Sequence, residues 1–141
     1  MSQDAPEGYL RGHMAERLEL PATAKTPLVS FDPDRGTLII RGVSIHENAD
    51  GFYTPIHALL ERYMAAPANR TQIEVELAYF NSSSAKYLLD LFKLMDDLHA
   101  SGGSKVELTW VYRADDLDME EAGNDYRGLL DLPVRLKPSR G

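Results

Sequence analysis

From Gln72 to Tyr112 the apolar period changes from two to 3.6 and back to two, which constrains the fold more than any other feature of the chain. Over Gln72 to Phe80, Ile73, Val75, Leu77 and Tyr79 fall on one side of an extended segment, and Glu74, Glu76 and Ala78 on the other. From Ser83 to about Ala100, Leu88, Leu91, Phe92, Met95 and Leu98 form one helical stripe, opposite Lys86, Asp90, Lys93 and Asp97. Ser101-Gly102-Gly103 stops that helix. Val106, Leu108, Trp110 and Tyr112 then alternate with Glu107, Thr109 and Val111 as a second strand. A strand–helix–strand unit of this kind makes a right-handed crossover between parallel strands. Two carboxylates on one face of the first strand mean that this face meets water, whereas a strand covered on both faces would read as continuously apolar. Helices are therefore predicted mainly on one face of the sheet.

The flanking segments extend this unit. Leu28-Val29-Ser30-Phe31, the turn formers Asp32-Pro33-Asp34-Arg35-Gly36, and Thr37-Leu38-Ile39-Ile40-Arg41 read as a β-hairpin. Gly42 to Asn48 reads as a loop, and Asn48 or Asp50 as the cap of a helix from Gly51 to about Ala65. Pro55 is placed near that helix's first turn, where a missing N–H costs little, and Phe52, Ile56, Leu59, Leu60 and Tyr63 supply its stripe. The acidic run Asp115 to Glu121 opens a last helix to about Leu130, and Val134 to Leu136 is a final short strand. The expected fold is a single two-layer α/β domain with a mixed four- to five-stranded sheet. Residues 1–20 read as a flexible N-terminal arm and 21–141 as the domain.

Composition narrows the function classes. The 141 residues include no cysteine, so disulfides, thiol nucleophiles and cysteine-based zinc sites are excluded. A formal net charge of -7 argues against nucleic acid, whose phosphates call for clustered Lys and Arg. No apolar run approaches the roughly 20 residues that span a bilayer, and the first residues lack the apolar centre of a signal peptide. A soluble, cytoplasmic protein with no membrane partner is the expectation.

The side chains suited to chemistry are few. His13, His46, His57 and His99 form no HExxH-like pair, and no nucleophile elbow or phosphate-binding glycine loop is present. Asp115, Asp116, Asp118, Glu120 and Glu121 raise the possibility of metal-assisted hydrolysis. Their spacing does not fit a calcium loop, and acids in a first helical turn are ordinary dipole partners. No catalytic residue, no metal and no cofactor is therefore assigned, and the chain is expected not to be an enzyme. Asn81-Ser82-Ser83-Ser84 stands where a strand gives way to a helix. Such a cluster serves as plain capping or as a phospho-acceptor. A phosphate there faces free N–H groups and the positive end of the helix dipole, so the fold tolerates it.

Several segments together resemble the SiaC family of bacterial biofilm-regulation phosphoproteins. They are Lys25-Thr26-Pro27, Gly42-Val43-Ser44-Ile45-His46-Glu47-Asn48, Tyr79-Phe80-Asn81-Ser82-Ser83-Ser84-Ala85-Lys86, Trp110-Val111-Tyr112 and Asp115-Asp116, in the family's order between about Leu20 and Leu136. His46 stands where many relatives carry proline. The resemblance implies a fold similar to anti-sigma-factor antagonists (STAS-like). It also implies a partner-switching adaptor: a dedicated protein kinase phosphorylates it, a PP2C-type phosphatase resets it, and the unphosphorylated form binds and activates a diguanylate cyclase. The family's phosphorylated threonine falls at Ser82, with Ser83 and Ser84 as alternatives. Glu47, Asn48, Asn81, Ser82, Ser83 and Lys86 are the implied partner-binding residues, although Glu47 and Asn48 also suit plain capping of the helix that follows. An antagonist acting on an anti-sigma factor is the second binding function considered.

Overall fold

The computed structural model describes residues 16–140. Its strands are β1 (Leu18–Leu20), β2 (Leu28–Asp32), β3 (Thr37–Ser44), β4 (Arg70–Phe80), β5 (Lys105–Arg113) and β6 (Val134–Ser139). Its helices are α1 (Ala49–Tyr63), α2 (Ser82–Ser101) and α3 (Leu117–Leu129). The strands form one six-stranded sheet in sequence order, with β1, β2 and β3 antiparallel and β3 to β6 parallel. Because parallel neighbours follow one another directly, every right-handed crossover returns over the same face. The three helices of the described residues therefore cover one side, as the carboxylates of Glu74 and Glu76 had indicated.

The covered face is dry. Leu38, Ile40, Ile73, Val75, Leu108 and Trp110 from the strands meet Ile56, Leu60, Leu88, Leu91, Phe92 and Met95 from the helices, each at most 2% exposed. On the other face Arg41 pairs with Glu74 at 3.0 Å and Glu76 at 3.6 Å, and the two glutamate side chains keep 41% and 39% of their accessible surface. That exposure fits a sheet face that no second helical layer covers among the described residues.

The structure departs from the sequence-based expectations at three places. Leu18–Leu20, read as part of the arm, pairs antiparallel with Val29–Phe31 as a sixth, edge strand; residues 1–15 of that arm lie outside the described residues. Helix α1 starts at Ala49, so Pro55 lies inside the helix rather than in its first turn, where it cannot donate to the carbonyl four residues back. Of the two caps expected for that helix, Asn48 is the one used: its Oδ1 accepts from the Gly51 N–H at 3.0 Å. Finally, Tyr79 does not face the core. Leu77 pairs with Gly42 and Tyr79 with Val43, which leaves Ala78 as an extra residue in β4. Gly42, at φ 128°, takes a backbone conformation that side-chain-bearing residues avoid. This β-bulge shifts the alternation by one. Tyr79 turns outward, at 61% exposure, and Phe80 turns inward to meet the Trp110 ring edge-on at 6.0 Å.

Candidate functional site

Helices α1, α2 and α3 each follow a strand of the parallel set, so their N-termini open at the carboxyl-terminal edge of the sheet. Such an edge is where open α/β sheets present their binding groups. The segments that carry the family resemblance gather there. The Asn81 N–H donates to the Ser44 carbonyl at 3.0 Å and the Ile45 N–H to the Lys25 carbonyl at 2.8 Å, tying the ends of β3 and β4 to the Lys25-Thr26-Pro27 segment. Lys25 Nζ lies 3.7 Å from Glu47. Glu47's own backbone N–H first, then Lys25 and His46, hold its carboxyl below the usual carboxylate range. The His46 ring nitrogen Nδ1 accepts from the Asn48 N–H at 2.9 Å, closing the loop ahead of the α1 cap.

The serine cluster divides by burial. Asn81 caps α2: its Oδ1 accepts from the Ser84 N–H at 2.9 Å. Ser82 and Ser83, in the first turn, are exposed, as is Lys86. Ser84 is 1% exposed, and its hydroxyl accepts from Ser44 Oγ at 2.8 Å. Ser44 Oγ also lies 2.6 Å from the Tyr53 hydroxyl. This buried chain of hydroxyls joins β3, α1 and α2 beneath the corner, and burial pushes the Tyr53 phenol up to about 12. On the surface the Tyr87 hydroxyl donates to Asp50 at 2.9 Å, a second tie between the α1 and α2 N-termini, and that bond raises the phenol's pKa.

The acidic stretch has structural duties. Asp116 caps α3, its Oδ1 accepting from the Met119 N–H at 3.0 Å, while Asp115 pairs with Arg113 at 3.2 Å. Tyr112 donates to Glu120 at 3.4 Å, and the Trp110 indole N–H donates to the Met119 carbonyl at 2.9 Å. The Trp110-Val111-Tyr112 and Asp115-Asp116 segments therefore fix α3 against β5. Among the described residues, no group of three or more His, Cys, Asp or Glu side chains is placed to hold a metal ion. No helix among them is long and apolar enough to cross a membrane.

The sequence-based site thus separates into an exposed group (Glu47, Asn48, Ser82, Ser83 and Lys86), the partly covered cap Asn81 and the buried Ser84. Three large apolar side chains that the sequence analysis did not place at the surface, Tyr79, Leu117 and Leu129, are 61%, 71% and 57% exposed. The signal for Ser84 was present: it is four residues before Leu88, on the helix's buried stripe.

Known proteins are similar to this chain in sequence and fold. An uncharacterized protein of Pseudomonas aeruginosa (strain UCBPP-PA14) is 28% identical over 120 residues, covering 85% of this chain and 94% of its own length. The crystal structure of apo-SiaC from Pseudomonas aeruginosa superposes with a TM-score of 0.79 at 27% identity, covering 86% of this chain and 98% of that one. SiaC in its crystallised complex with the diguanylate cyclase SiaD, which it activates, superposes with a TM-score of 0.81 at 26% identity, covering 86% and 99%. The family model described as SiaC family regulatory phosphoprotein matches residues 20–139. The chain belongs to the SiaC family of regulatory phosphoproteins.

Proposed function

We propose that this protein is a non-catalytic cytoplasmic adaptor whose unphosphorylated form binds and activates a diguanylate cyclase. A dedicated kinase phosphorylates Ser82 and a PP2C-type phosphatase restores the active form. The observation that carries the proposal is the match, over 86% of this chain, to SiaC bound to the cyclase SiaD, combined with an exposed first-turn hydroxyl, Ser82, where the family resemblance puts the phosphorylated residue. Of the three adjacent serines, Ser84 is enclosed and hydrogen-bonded, so a kinase would have to unfold the corner to reach it. Ser83 is exposed, and only its place in the motif sets it behind Ser82. Phosphate on Ser82 adds roughly -1.5 to -2 charge at a helix end that favours anions by about 0.3–1 kcal/mol. The fold accommodates the group, and a partner packed on this corner would have to desolvate it, which costs far more. Glu47, Asn48, Asn81, Ser82, Ser83 and Lys86 are the residues we place on that partner-facing corner.

The test is a reconstitution with the cyclase, kinase and phosphatase encoded by the same genome. Phosphate is expected on Ser82 by mass spectrometry, with loss of cyclase binding, and Ser82→Ala is expected to activate constitutively. Recovery of an anti-sigma factor in place of a cyclase, or turnover lost in Asp115→Ala, would contradict the proposal.

A further inference from the structure

The register of the parallel strands sets the side chains of the open sheet face in rows. Ile39, Glu74, Thr109 and Arg135 stand side by side across β3, β4, β5 and β6, and Arg41, Glu76, Val111 and Lys137 form the next row. Read along the strands, the face is striped. It is acidic along β4, uncharged along the middle of β5 and basic along β6. Arg41 serves both glutamates of the acidic stripe. Arg135 and Lys137 are exposed and, among the described residues, pair with no acid. Ile39, Glu74, Thr109 and Arg135 also line a concavity of about 280 Å³. Stripes of opposite sign on either side of a neutral strand are self-complementary under a two-fold rotation, in which one patch must fit its own copy.

We propose that two copies of this protein pair through their open sheet faces, about a two-fold axis that runs along β5. The rotation lays the β4 stripe of each copy over the β6 stripe of the other and leaves the rows in place. Glu74 then faces Arg135 of the second copy, Glu76 faces Lys137, and Thr109 and Val111 meet their equivalents on the axis. Each ion pair occurs twice. Aligned sheets cross at about 30°, and these pairs lie only about 5 Å from the axis, so the crossing displaces them by roughly 2–3 Å. Side chains as long as Arg, Lys and Glu span that shift. Two terms keep the pairing weak. Glu107, also on β5, falls beside its own copy, a like-charge contact, whereas Arg113 arrives already paired with Asp115. Only β4, β5 and β6 overlap, roughly 14 Å by 25 Å, against the ~800 Å² per partner of a standard interface. The dissociation constant is therefore on the order of 100 µM. The helices cover the opposite face of each sheet, so both Ser82 corners stay free and the pair is bivalent towards any partner of that corner.

The experiment is sedimentation equilibrium of the full chain, from about 10 µM to about 1 mM. Arg135→Glu combined with Lys137→Glu is expected to weaken self-association at least about tenfold, and so is Glu74→Lys combined with Glu76→Lys. An equimolar mixture of these two double variants is expected to restore association, because each stripe then faces its opposite. Asp97→Lys, an exposed site on α2 away from the face, is expected to leave association unchanged. The chain has no cysteine of its own, so Thr109→Cys supplies a single thiol on the axis. A bismaleimide that spans the ~10 Å between packed sheets is expected to join two such copies, and not two copies of Asp97→Cys. A protein that stays monomeric to about 1 mM overturns the proposal. So does a dimer that survives both double substitutions, which would pair through another surface, or a mixture that fails to restore association. Circular dichroism of each variant confirms that lost association is not lost fold.

Discussion

Ser82 and Ser84 are two residues apart and should respond oppositely to a negative charge. Ser82 is exposed in the first turn of α2, whereas Ser84 is 1% exposed and hydrogen-bonded to Ser44. In Ser82→Asp the carboxylate stays in water and gains about 0.3–1 kcal/mol from the helix dipole. In Ser84→Asp the carboxylate enters the space among Ser44, Tyr53 and the α2 backbone. An uncompensated buried charge costs about 3–5 kcal/mol, and the single hydroxyl donated by Ser44 returns only about 1 kcal/mol of that. The added atoms contribute a further overpacking penalty of similar sign. The two variants should therefore differ in stability by about 3–5 kcal/mol. For a domain of this size that is a melting difference of roughly 10–20 °C. Guanidinium unfolding monitored through Trp110, the single tryptophan of the chain, reads both. A Ser84→Asp variant within about 1 kcal/mol of wild type would refute the assignment of Ser84 to the buried network.

Other perturbations test other parts of the structure. A Cβ at Gly123 would meet Trp110 Cδ1 at 2.5 Å, so Gly123→Ala should destabilise by about 1–3 kcal/mol and shift the Trp110 emission; unchanged emission and stability would contradict the packing of α3 on β5. Asn81→Ala removes the acceptor of the Ser84 N–H and should cost about 1 kcal/mol in denaturant titration. Between pH 10 and the folded pKa of about 12, Tyr53 keeps its proton in the folded state and loses it in the unfolded one. The unfolded state then binds fewer protons, so stability is complete below pH 10 and falls as pH rises, by about 3 kcal/mol in all. Burial raises Tyr126 in the same direction. Tyr53→Phe should therefore flatten the alkaline decline without abolishing it, and an unchanged slope in pH-dependent melting would count against the Tyr53 environment.

The parts of the fold that were legible are those where a period persists. Helix α2 was placed within two residues because five apolar side chains repeat over its length, and the Gly102 stop is present at φ 80°. The parity of β4 held through Leu77, where Glu74 and Glu76 mark the wet face. It failed at Tyr79 because a bulge adds a residue without changing the sequence pattern; Gly42 on the partner strand was the one visible hint. Strand β1 was missed because three residues ahead of Pro21 cannot establish a period. Of the corner, Asn81 and the serines were legible as a cap. That Ser84 belongs to a buried hydroxyl chain depends on Ser44 and Tyr53, which are far from it in sequence.

The most direct test of the switch is the rate of cyclic di-GMP synthesis by the cognate diguanylate cyclase, measured with three forms of this protein at equal concentration: unphosphorylated, phosphorylated only on Ser82, and Ser82→Ala after exposure to the kinase. Stimulation is expected from the first and third and its loss from the second, with all three equally folded by circular dichroism. Equal stimulation by the Ser82-phosphorylated and unphosphorylated forms would contradict a switch at Ser82.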